Sequence, residues 1–246
     1  MPRFFVGTAL KPADIMQLPD DVTRHVAVLR LQPGDSIVLF NGEGGEYSAE
    51  LVEVERRWAT VKICEFRDIE VELPYHLTLA QGVASGDKMD WLIEKAVELG
   101  ASSFVPLTTT RSVVRLTGER AQRRSEHWKG IVRASCEQCG RNRLPDVAAV
   151  REIATWLGAM PREPEEGELR LLLSPRASIS FAALPTTPPQ GHVVVLIGPE
   201  GGFSSAEEAA ATSYGFNAVG LGPRVLRTET AGIAVLAALA ARWGGW

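Results

Sequence analysis

The chain has 246 residues, 45% apolar and 23% charged, with a formal net charge of −4, an ordinary globular composition that gives no sign of disorder. Its longest C-terminal apolar stretch, Gly232 to Ala241, is about half of what crosses a bilayer, and the start, Met1-Pro2-Arg3-Phe4-Phe5-Val6-Gly7, lacks the apolar core of a signal peptide, so no membrane partner is expected. Three cysteines, Cys64, Cys136 and Cys139, are too few and too oddly numbered for a disulfide framework, which points to a reducing, cytoplasmic setting.

The first 70 or so residues read as short strands. Arg3 to Gly7 is one, and Thr23 to Arg30 is a short helical run. Leu31-Gln32-Pro33-Gly34-Asp35 is a turn set by proline and glycine, leading into a strand at Ser36 to Phe40. Asn41 to Gly45 is a hairpin signal; Glu46 to Val54 alternates like a half-buried strand, and Ala59 to Ile63 supplies another. A small β-barrel is the expected closure.

After Pro74 the texture changes. His76 to Gln81 reads as a strand and Asp87 to Leu99 as an amphipathic helix stopped by Gly100. A strand at Ser103 to Leu107 and a helix from about Gly118 to Cys136 follow. Leu169 to Leu173 and His192 to Ile197 are near-continuous apolar runs, as in strands covered on both faces. Asn217 to Leu221 is a short strand, and the helix beyond it, apolar nearly all round to Trp243, is a buried one. Strands alternating with helices imply an α/β fold with a mainly parallel sheet.

Charge is unevenly placed. Between Arg111 and Arg143 stand nine arginines or lysines against three glutamates, a surplus of six, so the remainder of a −4 chain carries −10. A basic stripe on an acidic body suits a protein that grips phosphate with one surface; a solvated helix with surplus arginine is the plain alternative.

The sharpest local feature is Ile197-Gly198-Pro199-Glu200-Gly201-Gly202-Phe203-Ser204 between a buried strand and a helix. Glycines let backbone N–H groups approach a ligand, and a first helical turn favours electron-rich groups. Ser204 and Ser205 each precede a glutamate by three, the pattern of a capping box. The spacing matches neither the dinucleotide fingerprint nor the phosphate loop, which disfavours a nucleotide-dependent oxidoreductase. A second loop, Gly220 to Ala231, again joins strand to helix, with Thr228 the expected N-cap and Glu229 in the first turn. A third, Leu172-Leu173-Ser174-Pro175-Arg176, ends another buried strand. Ligands in open α/β sheets sit at carboxyl ends of strands, so three such loops suggest one cleft.

Gly198-Pro199-Glu200-Gly201-Gly202, the run Leu221 to Thr230, and Glu137-Gln138-Cys139-Gly140-Arg141-Asn142-Arg143-Leu144-Pro145 together resemble the ribosomal RNA small-subunit methyltransferase E family. The resemblance extends over the whole chain, through Pro33-Gly34-Asp35 and Glu94 to Gly100. It implies S-adenosylmethionine-dependent methylation of N3 of a uridine in 16S rRNA of the small ribosomal subunit. It implies a PUA-like β-barrel over residues 1–72 and a SPOUT methyltransferase domain over 73–246, whose chain threads a trefoil knot, and a homodimer in which both subunits build each active site. A knot runs against general chain topology and comes from the resemblance alone.

On this reading the cofactor is held by Gly198, Pro199, Glu200, Gly201, Gly202, Leu221, Gly222, Pro223 and Leu226, with Leu172, Leu173 and Ser174 along the wall. Methyl transfer from an activated sulfonium mainly needs alignment, but the weakly acidic uracil N3–H must lose its proton. Arg227 is the expected stabiliser of the uracil anion, with Glu200 and Glu229 as candidate bases. Arg3, Arg30, Arg111, Arg141 and Arg143 are the candidate RNA contacts. No metal is expected: Cys136 and Cys139 form a CxxC without two further ligands nearby, and are read as structural. The four histidines, His25, His76, His127 and His192, are scattered, Trp128 and Trp156 are read as core, and Trp246 as a chain-end residue. Ribose 2′-O methylation and a non-catalytic RNA-binding assembly factor are the rival readings; nucleoside analysis and donor binding separate them.

Overall fold

The computed structural model describes residues 1–245; Trp246 lies outside the described residues. The chain divides into two compact units, Met1–Glu72 with Arg133–Leu144, and Leu73–Val132 with Pro145 onward. Residues 133–144 therefore belong with the N-terminal segment, which a cut between 72 and 73 does not anticipate.

In the first unit, β1 (Arg3–Phe5), β2 (Ile15–Gln17), β3 (Ser36–Phe40), β4 (Glu46–Val54) and β5 (Ala59–Arg67) form a five-stranded sheet in the order β1-β3-β4-β5-β2, with α1 (Asp20–Val28) between β2 and β3. The alternation read in Glu46–Val54 has its cause here: Ala49 and Leu51 enter a core with Phe4, Val26, Ile37, Leu39 and Val61. Register shifts at Ser48/Ala49 and Leu51/Glu53 bend the β4–β5 pair. Strand β2 is too short and too exposed to announce itself in the sequence.

The second unit is built on β6 (His76–Gly82), β7 (Ser103–Thr108), β8 (Asp146–Val147), β9 (Arg151–Glu152), β10 (Leu169–Leu173), β11 (Ile179–Ser180), β12 (His192–Ile197) and β13 (Asn217–Gly220). Their order is β11-β13-β10-β12-β6-β7-β8, with β9 also on β7, and every pairing is parallel. Central strands β10, β12 and β6 are buried almost end to end, which is why they read as apolar runs. The helices are α2 (Lys88–Glu98), α3 (Gly118–Cys139), α4 (Ile153–Gly158), α5 (Ser205–Ser213) and α6 (Thr228–Trp243). Helix α3 runs three residues past its expected end, and its last turns fall in the first unit. Gly100 holds φ +88° after α2, the left-handed position expected of it. Among the described residues no helix is long and apolar enough to cross a membrane.

Both tryptophans read as core are buried: Trp128 donates its indole N–H to Asp90 at 2.9 Å, and Trp156 packs with Phe216. Arg170 stands fully buried inside β10, forked onto Glu168 (2.9 and 2.7 Å) and donating to the carbonyls of Pro161 and Tyr214.

Candidate active site

Strands β10, β12 and β13 lie side by side and parallel, so their carboxyl ends open the same way, and the three loops picked out in the sequence meet there. They enclose a cavity of about 690 Å³ in the second unit, within the range of small-molecule sites. Of the expected cofactor residues, Leu173, Ser174, Gly198, Pro199, Glu200, Gly201, Gly202, Leu221, Gly222 and Leu226 line it. Leu172 does not: its side chain is in the core under the sheet. Pro223 is likewise not part of the lining.

The glycine loop is narrow for a physical reason. A Cβ on Gly198 would come within 3.0 Å of the Gly202 backbone, and Gly202 itself takes φ +65°. Helix α5 begins directly behind it in a true capping box: Ser204 Oγ accepts from the Glu207 N–H at 3.2 Å, and Glu207 accepts from the Ser204 N–H at 2.8 Å. The other carboxylate oxygen of Glu207 accepts from the Thr110 N–H at 2.8 Å. The second serine of the pattern, Ser205, forms no such box. Its glutamate, Glu208, lines the cavity, accepting from Ser174 Oγ (3.3 Å) and Arg176 (2.8 Å).

Glu200, a candidate base in the sequence, is held by several donors. Its Oε1 accepts from the Ser85 N–H (2.9 Å), Ser85 Oγ (2.6 Å) and Lys88 Nζ (3.1 Å). Burial alone would raise its pKa, but these donors outweigh it and bring it to about 2. So weak a base, tied by three donors, joins the glycine loop to Ser85 and to Lys88 at the start of α2.

Arg227 lines the cavity and is exposed, as are Arg224 and Val225, the latter 81% accessible. Glu229 is half-buried, off the cavity lining, and its Oε2 has no partner among the described residues. Thr228 is not the N-cap; Arg227 holds that position, and Thr228 opens the helix with its hydroxyl donated to the Gly198 carbonyl at 2.5 Å. Arg111 also lines the cavity, donating to the carbonyls of Gly201 and Phe203 at 3.2 Å each.

The other expected RNA contacts divide. Arg30 is exposed, at φ +57°. Arg141 is only 3% accessible and ion-paired with Glu72, so the structure gives its charge to a carboxylate rather than to a phosphate. Arg3 is bound to Glu46 and donates to Asn142 Oδ1 at 2.6 Å; Arg143, more open, meets Glu70 at 3.3 Å. Asn142, fully buried, donates to the Ile69 carbonyl at 2.7 Å. The Arg-Asn-Arg run thus clasps the first unit together. Cys136 is buried and its thiol pushed up to about 12 by burial, the state of an inert structural cysteine.

Scattered in sequence, His76 and His192 face each other across the β6–β12 register with ring centres 4.6 Å apart. His192 Nε2 bonds Thr78 Oγ1 at 2.6 Å, and burial lowers both imidazole pKa values. They lie at the opposite ends of the strands from the cavity, and only strand pairing, invisible in a single sequence, brings them together.

Family models give the class first: residues 71–240 match an RNA methyltransferase domain and residues 18–64 an RNA methyltransferase PUA domain. Ribosomal RNA small subunit methyltransferase E of Buchnera aphidicola (from Schizaphis graminum) is 31% identical, covering 99% of this chain and 97% of its own, and that of Bacillus subtilis is 32% identical, covering 97% and 96%. The crystal structure of the Neisseria gonorrhoeae enzyme of that name, bound to S-adenosylmethionine, superposes with a TM-score of 0.90 at 37% identity over 99% of this chain and 98% of that one. A putative methyltransferase of Legionella pneumophila in complex with S-adenosylmethionine gives 0.90 at 34% identity, covering 97% and 96%. The chain belongs to the ribosomal RNA small subunit methyltransferase E family, with a PUA-like N-terminal domain and an α/β RNA methyltransferase domain.

Proposed function

We propose that this protein methylates N3 of a uridine in 16S rRNA of the small ribosomal subunit, with S-adenosylmethionine as donor, acting in the cytoplasm as a homodimer. The observation that carries the reading is the cavity at the carboxyl ends of β10, β12 and β13, lined by the three loops that follow those strands. Its size and its glycine-lined cradle suit a nucleoside-sized cofactor. When bound, the donor supplies a methyl group already activated by a sulfonium.

The chain's own residues do the remainder. Main-chain groups of Gly198 to Gly202, Leu221, Gly222 and Leu226 hold the adenosine and methionine portions, with Leu173 and Ser174 along the wall. Glu200, bound to Ser85 and Lys88, keeps the glycine loop in place. Arg227, always charged and open to the cavity mouth, stabilises the negative charge that develops on uracil as N3–H ionises. Glu200 is withdrawn as a base by its depressed pKa, and Glu229 by its place off the cavity; the proton passes to solvent once Arg227 has made N3 acidic enough. For RNA, the exposed cations Arg30, Arg115 and Arg120 replace Arg141 as the phosphate contacts. The homodimer is supported by α6, where Thr230, Ile233, Ala234, Ala237 and Ala241 stay at least partly exposed along one side of an alanine-rich helix. The trefoil knot belongs to the same reading, supported by membership of the family.

Calorimetry with S-adenosylhomocysteine and nucleoside mass spectrometry test this together. Saturable binding is expected, and small-subunit RNA from cells lacking the protein should be missing one 3-methyluridine, restored by the wild-type chain. A missing 2′-O-methyl nucleoside would replace the N3 assignment; absence of cofactor binding would sink the enzyme reading.

A further inference from the structure

A glutamine in a strand that is mostly buried and apolar is out of place unless it is used. Gln81 stands next to last in the apolar strand β6, is fully buried, and has its carboxamide oxygen without a partner among the described residues. Burying an unsatisfied acceptor is unfavourable, and a leucine of similar volume would avoid it. Its amide nitrogen, by contrast, is surrounded by acceptors: the Gly82 carbonyl at 2.8 Å, the Gly198 carbonyl at 3.3 Å and Thr228 Oγ1 at 2.8 Å. The Thr228 hydroxyl in turn donates a hydrogen bond to the same Gly198 carbonyl. One side chain therefore ties the end of β6 to the glycine loop and to the first residue of α6. The next residue presses the same contact: a Cβ on Gly82 would stand 2.5 Å from Pro199.

We propose that Gln81 is a positioning residue for the cofactor cradle, fixing the Gly198 and Thr228 loops relative to each other so that the cavity is formed before ligand arrives. It does not line the cavity and acts through Gly198 and Thr228, which do. The inference rests on the reading that this cavity takes S-adenosylmethionine.

Three variants test it against S-adenosylhomocysteine by calorimetry, with thermal unfolding alongside. Gln81→Leu keeps the volume and removes the donors; it should unfold no earlier than wild type, yet bind at least about tenfold more weakly. Gln81→Asn, too short to reach, should bind as weakly and, with its buried amide unpartnered, unfold earlier. Gln81→Glu supplies a diagnostic that a merely structural role would not move. Ionised, its carboxylate faces the Gly82 and Gly198 carbonyls and opens the cradle; protonated, it can donate to one of them. Its pKa should therefore lie above the ordinary range, and its affinity should recover as pH falls from about 8 to about 5.5, while wild type and Gln81→Leu stay flat. Folded Gln81→Leu and Gln81→Asn binding within twofold of wild type would overturn the inference, as would a Gln81→Glu affinity that does not vary with pH. Wild type that fails to bind at all would overturn the cofactor reading and this inference with it; wild type that binds leaves the variants to decide.

Discussion

Arg227 and Glu200, read from the sequence as anion stabiliser and candidate base, stand in very different surroundings. Arg227 is open to the cavity and lies on the loop opposite the glycines. Replacing it with alanine should lower kcat by about 10²- to 10³-fold, as for removal of a single oxyanion donor, while affinity for S-adenosylhomocysteine changes little; single-turnover kinetics against calorimetry separates the two. Glu200 should behave in the opposite way. Its folded pKa of about 2 lies below the ordinary carboxylate value, so its contribution to stability is complete above about pH 4.5 and fades as pH falls toward 2, bounded at about 1.4 kcal/mol per pKa unit. Glu200→Gln should remove that part of the acid dependence of unfolding and weaken cofactor binding, with kcat at saturating donor largely kept. A bell-shaped rate profile whose acid limb vanishes in this variant would restore Glu200 as the base.

At the level of elements, the capping box makes α5 the anchor of the glycine loop, since Ser204 ends the loop and starts the helix. Ser204→Ala should cost about 1 kcal/mol and lower the unfolding midpoint by a few degrees, read by calorimetric melting, with a larger loss of donor affinity than the stability change alone requires. This part was legible beforehand, because a capping box and a glycine loop are short-range patterns. The strands were legible for the same reason: Ser36–Phe40, Leu169–Leu173 and His192–Ile197 have the bounds that their apolar runs suggest. What could not be read depends on register and long-range packing. Nothing near Thr228 says that its hydroxyl is taken by a carbonyl 30 residues away, so it looked like a cap. The short strands at 146–147, 151–152 and 179–180 have no periodicity to show. Gln81 did carry a signal, a polar residue inside an apolar run, but only coordinates say what it holds.

For the whole molecule, the decisive quantity is how many of its cations are free to meet phosphate. A net charge of −4 means that binding to RNA rests on a local surplus, yet the structure uses part of that surplus internally: Arg141 on Glu72, Arg143 on Glu70 and Arg124 on Asp90, while Arg123–Glu119 and Lys129–Glu126 balance within the basic run itself. Surface pairs such as Arg123–Glu119 are worth about 0–1 kcal/mol and yield readily to a phosphate, whereas the buried Arg141–Glu72 pair does not. Loss of one partner from a fully buried pair costs about 3–5 kcal/mol because a charge is left stranded; Glu72, partly exposed, brings the cost here below that range. Arg141→Ala should therefore lower the melting temperature of the protein, and the salt dependence of RNA binding by whatever molecules remain folded should be unchanged. Arg120→Ala, at an exposed position on α3, should do the reverse: no change in melting, and a slope of log affinity against log salt shallower by about 0.7 to 0.9 for each phosphate that is no longer neutralised. Filter binding of a 16S rRNA fragment across a salt series, with melts of the same preparations, gives both numbers. If Arg141→Ala flattens the slope while leaving stability intact, its side chain leaves Glu72 to reach the RNA, and the basic run before Pro145 is part of the grip after all.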